Sequence, residues 1–173
     1  MKNLLSGIVI ITILVGCATH QNLDPKDTKI TLFVTAQGLY GDPQNNDPNV
    51  ILANCQLNDN QGAPTTSGPG IPSFQSKVFK NKMVTWDVEV DVNSDEAGYS
   101  VAIEQIEMKF TGPSTDDFFI KKVFAGKSGK VMARVKNADI QDKLYYYNIL
   151  FSVKPKTGPK LFFEIDPILK GNN

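Results

Sequence analysis

Apolar and polar residues alternate along much of this chain with a period of two. In Val84-Thr85-Trp86-Asp87-Val88-Glu89-Val90-Asp91 one face carries Val84, Trp86, Val88 and Val90, and the other carries Thr85, Asp87, Glu89 and Asp91. Successive side chains of a strand point to opposite faces, so this pattern predicts a half-buried strand with a wet outer side. Residues 145–153 repeat it, with Tyr145, Tyr147, Ile149, Phe151 and Val153 in one phase. Residues 29–37 do the same with Ile30, Leu32, Val34 and Ala36. Further strands are predicted over 50–57, 76–80, 118–124, 129–135 and 160–165. Over 99–110 the phase slips: Val101 and Ile103 share one face, while Ile106, Met108 and Phe110 share the other. A β-bulge near Glu104–Gln105 reconciles the two phases, and a short helix is the alternative.

Stretches rich in Gly, Pro, Asn and Asp at 38–49, 93–98, 111–117 and 154–159 punctuate these runs, in keeping with turn chemistry. About eight short strands separated in this way predict an all-β fold, either a sandwich or a closed barrel. The expected architecture is an antiparallel β-sandwich of the immunoglobulin-like or transthyretin-like kind over residues 30–173. Neither a strong helical period nor an internal repeat is visible. Residues 58–76 hold Gly62, Pro64, Gly68, Pro69, Gly70 and Pro72, which predicts a long irregular loop. Such loops are often functional or disordered. With 38–49, this is where a binding surface is expected first.

The N-terminus follows a different pattern. Lys2 precedes an apolar run from Leu4 to Val15, and Leu14-Val15-Gly16-Cys17 closes it. Crossing a bilayer as a helix needs roughly 20 apolar residues, so this run is too short and instead has the layout of a secretory signal over 1–16. The segment resembles bacterial lipoprotein precursors, and the four-residue motif is their lipobox. The resemblance implies that Cys17 becomes the mature N-terminus and carries fatty acyl groups that hold the protein on a membrane. The alternative is an ordinary signal peptide cut elsewhere, with Cys17 a bystander. Two or more acyl chains anchor far more firmly than one. Ala18 after the cysteine resembles the default for sorting to the outer membrane of a diderm bacterium. Residues 17–29, polar and containing Pro25, predict a flexible tether spanning about 20 Å.

Removing residues 1–16 from 173 leaves 157, enough for one domain. The whole chain carries 18 basic and 18 acidic residues, and losing Lys2 leaves a formal charge of −1. A near-neutral chain without a basic cluster in sequence leaves no electrostatic footprint for nucleic acid or for anionic lipid. Cys55, the second of two cysteines, has no intramolecular partner if Cys17 is acylated. Its apolar surroundings predict a buried structural thiol.

Candidate chemistry is sparse. The one histidine, His20, lies in the tether, which disfavours triads, Cys-His dyads and multi-histidine zinc sites. Asp91-Val92-Asn93-Ser94-Asp95 begins like an EF-hand loop, but Glu96 stands where Gly is needed and Ala102 where Glu is needed. A looser calcium site from Asp91, Asn93, Asp95 and Glu96 competes with a plain turn. The same holds for Asn45, Asn46 and Asp47. Asp87 and Glu89 share a strand face about 6.6 Å apart, a spacing compatible with glycoside-cleaving carboxylates. The plainer reading is a solvated sheet face, and likewise for Asp116 and Asp117. Trp86, Tyr145 and Tyr147 are in the core phase, which leaves Tyr40 and Tyr146 as candidate binding rings. No cofactor is implied. These readings favour a non-enzymatic envelope lipoprotein that binds a protein or glycan through loops. The alternatives are a carboxylate-dependent hydrolase and a calcium-stabilised adhesion module.

Overall fold

The computed structural model describes residues 25–91, 98–109 and 117–173. Their elements are mostly strands: β1 (Thr28–Val34), β2 (Cys55–Asp59), β3 (Thr66–Ser67), β4 (Gln75–Phe79), β5 (Met83–Val90), β6 (Tyr99–Lys109), β7 (Val123–Ala125), β8 (Val131–Arg134), β9 (Leu144–Pro155), β10 (Leu161–Ile165) and β11 (Ile168–Asn172). Two short α-helices, α1 (Ala36–Gly41) and α2 (Pro48–Ala53), and a 3₁₀ helix over Gly68–Ser73 complete the described chain. The first sheet has the order β3-β2-β1-β5-β8, and the second β4-β11-β9-β6-β7, with β10 on the same side of β9 as β11.

The inner faces of both sheets feed one core. Trp86 of β5 meets Tyr147 of β9 edge-on at 5.8 Å between ring centroids and Phe119 at 6.0 Å. All three are buried, as are Ile30, Leu32 and Val34 of β1 and Ile149, Phe151 and Val153 of β9. The alternation along β1, β5 and β9 thus matches the burial pattern. The phase slip in β6 is a register shift between Ile103 and Gln105, so Glu104 is the extra residue of a bulge. It lets Ile103 and Ile106 both point inward.

Several expectations need correction. The expected strand count of about eight is exceeded among the described residues, which form eleven strands. Nor is the pairing antiparallel throughout: β1 runs parallel to β5, and β4 parallel to β11. Parallel partners cannot be joined by a hairpin, and here several intervening elements separate each pair in sequence. The sheets are open, with β3 and β8 at the ends of one and β4 and β7 at the ends of the other, so the fold is not a closed barrel.

Residues 50–57 split into the end of α2 and β2 rather than one strand. Asp47 Oδ1 accepts from Asn49 N at 2.8 Å and Pro48 occupies the first turn, a capped start that makes Val50-Ile51-Leu52 helical. Of the strand expected over 118–124, only Val123 and Phe124 are extended, at the start of β7, and residues 118–122 are not strand. Phe118 and Phe119 turn into the core, and Phe118 stacks on Tyr145 at 5.0 Å. The segment 58–76 is built rather than irregular: Asp59 Oδ1 accepts from Gln61 N and Ala63 N, and Ile71 and Phe74 are buried. Asp27 and Thr28, assigned to the tether by sequence, are tied into the domain. Asp27 Oδ1 accepts from Met83 N at 2.9 Å, and Thr28 Oγ1 donates to Lys77 O at 2.8 Å.

Candidate functional site

The outer face of the first sheet carries the carboxylate pair. Asp87 and Glu89 lie on β5 beside Thr31 and Phe33 of the parallel neighbour β1. Asp87 is buried, not solvated as the alternation predicts. Lys130 Nζ donates to Asp87 Oδ2 at 2.8 Å, and Lys29 Nζ lies 3.3 Å from the same oxygen and 3.8 Å from Glu89 Oε1. Burial opposes ionisation of Asp87, yet the two lysines and the Val88 amide outweigh it and hold the carboxyl below its ordinary range. A general acid for glycoside cleavage needs a raised pKa. The lysines push Asp87 the opposite way, and the ion pairs occupy its outward lone pairs. The depression beside it, about 190 Å³ and lined by Lys29, Thr31, Phe33, Asn58, Asp59 and Asn60, is shallow.

The calcium candidates are only partly in view. Asp91 follows β5, donates its backbone N–H to Val34 O at 2.9 Å, and lines a depression of about 150 Å³ with Thr35, Asn54 and Gln56. Asn93, Asp95 and Glu96 lie outside the described residues, as do Asp116, His20 and Cys17. Among the described residues no group of three His, Cys, Asp or Glu side chains is placed to hold a metal. The acids of 42–49 make turns: Asp42 Oδ1 accepts from Gln44 N at 2.7 Å, and Asp47 caps α2. Asp117 accepts from the Tyr145 hydroxyl at 2.7 Å.

Of the two candidate rings, Tyr40 is held in place. It packs 5.8 Å from Tyr99, and its hydroxyl donates to Pro159 O at 3.1 Å. It therefore bridges α1 to the β9–β10 connection and is no free platform. Tyr146 is exposed on the outer face of the second sheet, and it is not alone there. Of six exposed large apolar residues among those described, Val123 (47%), Leu144 (42%), Tyr146 (40%) and Phe162 (55%) lie on that face. The strand registers place them: Val123 opposite Glu107, Phe162 opposite Ser152, and Leu144 and Tyr146 two apart along β9. Half-buried Leu150 continues the band between them.

Sequence reasoning took only Tyr146 from this face. The outward phase of 144–152, Leu-Tyr-Asn-Leu-Ser, carried the signal, but Phe162 and Val123 join it only through strand pairing. Cys55 is buried, and desolvation pushes its thiol up to about 12.

No family model matches the chain. No curated protein matches it in sequence either. The structure is similar to the crystal structure of an inclusion body protein, PixA, from Burkholderia cenocepacia J2315. The TM-score is 0.53 at 12% identity, covering 88% of this chain and 99% of that one. At that identity the likeness is one of fold. No helix among the described residues is long and apolar enough to cross a membrane.

Proposed function

We propose that this chain is an envelope lipoprotein, held through acylated Cys17 on the outer membrane of a diderm bacterium, whose domain works by binding a partner protein rather than by catalysis. The lipobox Leu14-Val15-Gly16-Cys17 supports the anchor. Two sheets sharing one core support reading the domain as a two-layer β-sandwich, with mixed rather than purely antiparallel pairing. One observation carries the binding role: the gathering of Val123, Leu144, Tyr146 and Phe162 on a single sheet face.

Exposed apolar side chains grouped on one face and rimmed by charge mark interaction surfaces. Here Glu107 and Lys109 of β6 flank the β9 part of the band on one side and Glu164 of β10 on the other, with Val123 lying across Glu107 from the rest. We therefore place the contact on this face and not on the loops. Aliphatic residues make up much of the band, which suits a protein partner better than a glycan. The hydrolase alternative meets the lysine-clamped Asp87, and the calcium alternative rests on Asp91 alone among the described residues.

Site-specific photo-crosslinking in intact cells tests the contact. A crosslinker at Tyr146 or Phe162 is expected to give one discrete adduct, absent when the probe sits at Met132 on the opposite sheet. An adduct at twice the chain mass identifies a second copy as the partner. Equal, diffuse labelling from all three positions refutes the assignment. Mass analysis of the mature N-terminus tests the anchor separately.

A further inference from the structure

Charge that is balanced along the sequence is sorted by the fold. The chain enters the domain at residues 25–27, and Asp27 is bonded to Met83 N. That places the start of the domain beside the β4–β5 turn, residues 80–82. The backbone of this turn is tied to two other segments: Lys80 N donates to Asn172 O at 3.1 Å, and Asn81 N to Lys136 O at 3.3 Å. Val135 N returns a bond to Lys82 O at 2.9 Å, and Arg134 Nη1 donates to Asn81 O at 2.9 Å. Residues 25–27, 80–82 and 134–143 therefore form one end of the molecule.

Those three segments hold six basic residues, Lys26, Lys80, Lys82, Arg134, Lys136 and Lys143, against Asp27, Asp139 and Asp142. Lys170 from β11 takes up Asp142 at 3.3 Å. Asp139 is engaged by Asn173 Nδ2 at 2.7 Å and Gln141 N at 3.2 Å. Lys26, Lys80 and Arg134 are exposed, and Lys82 and Lys136 half-buried. At the opposite end of β9, where Lys154 and Lys156 lie, Lys160 is bonded to Glu104 at 2.8 Å.

We infer that this basic end is a docking surface for the anionic phospholipid headgroups of the membrane that anchors the chain, so that the domain stands on the bilayer in one orientation. The inference rests on the anchor proposed above. Eight residue steps separate Cys17 from Pro25, so the connection cannot exceed about 28 Å. The chain leaves from the basic end itself. That reach confines the basic end to the neighbourhood of the lipid surface, where its lysines can come within a Debye length, about 8 Å at physiological salt. Basic groups at that distance are attracted to anionic leaflets. With the domain standing this way, the apolar band along β9 runs up the side of the molecule, open to a partner.

Amine-acetylation footprinting of the purified lipidated full-length protein tests this. The protein is reconstituted in phosphatidylcholine vesicles with and without phosphatidylglycerol. Labelling of Lys80, Lys82 and Lys136 is expected to fall severalfold only with phosphatidylglycerol, and to recover in high salt, while Lys154 and Lys156 stay unchanged. Equal labelling in both vesicles, or protection at Lys154 and Lys156 instead, overturns the docking surface. The K80E/K136E variant should lose protection of Lys82 while keeping its thermal melt. If it fails to fold, the salt and lipid arms with the native chain still decide. The mass of the N-terminal peptide reports acylation independently: an acylated protein without the footprint sinks the docking surface alone, and an unacylated one sinks the anchor.

Discussion

The Tyr145 hydroxyl donates to Asp117 Oδ1 at 2.7 Å, whereas the hydroxyl of Tyr147, two residues along the same strand and in the same inward phase, has only the Trp86 indole beside it and no well-formed hydrogen bond. Burial and then the neighbouring carboxylate push the Tyr145 phenol up, and burial does the same at Tyr147. Both rings pack, but only one hydrogen bond is at stake. Tyr145→Phe is expected to cost about 1–2 kcal/mol by stranding a half-buried carboxylate. Tyr147→Phe should cost less than Tyr145→Phe, because its buried hydroxyl meets only the Trp86 indole, without good hydrogen-bond geometry. Denaturant melts of the two variants check the difference, and equal losses would count against it.

Asp87 supplies a pH dependence with a definite sign. Its folded carboxyl sits below the usual value, with burial opposed and outweighed by Lys130 and Lys29. A depressed folded pKa stabilises the fold above the unfolded value, near pH 4, and that contribution is lost as pH falls through the folded value. Glu104 acts in the same direction through Lys160 and Ser152. Asp87→Asn should lower stability at neutral pH by about 1–2 kcal/mol, discounted because both lysines are largely solvated. It should also flatten the acid limb of a stability–pH curve. An unchanged acid limb in the variant would remove Asp87 from the account.

Gly171 has no room for a side chain. A Cβ there would lie 2.0 Å from Ile140 O, in the β8–β9 connection that packs on β11. Gly171→Ala is expected to cost about 2–3 kcal/mol through forced backbone displacement. Gly41→Ala, with nothing within 4 Å of the added carbon, should be close to neutral. Thermal unfolding of the pair separates steric crowding from generic glycine effects.

Thiol chemistry reads both cysteines at once. Buried Cys55, with its thiol pushed up to about 12, should react with aromatic disulfide reagents only as fast as the domain unfolds. A thioether at Cys17 does not react at all. The native protein is therefore expected to show no rapid thiol, and denaturation should release one equivalent. A fast-reacting thiol before denaturation would argue against acylation of Cys17.

Strands were legible wherever one face is dry and the other wet, because the two-residue repeat is a property of the backbone. The inward sets of β1, β5 and β9 and the bulge at Glu104 could be read directly. Local capping hid α2: Val50-Ile51-Leu52 looks like strand until Asp47 and Pro48 are seen to start a helix. Strand β11 went unread because Gly171 and Lys170 break its apolar run. Asp87 was placed on a wet face, correctly by phase, but its burial follows from Lys29 and Lys130 closing over it.

Alternation along the chain was enough to define an all-β domain and its core rings. Neighbour relations were not contained in it: which strands run parallel, which outward residues form the apolar band, and where the lysines gather. Those depend on contacts between distant positions, such as Thr28 with Lys77, 49 residues apart, and Asn81 with Lys136. Periodicity is a local consequence of chain geometry, whereas surface patches are assembled by pairing, and pairing is settled only when the two sheets close on a shared core.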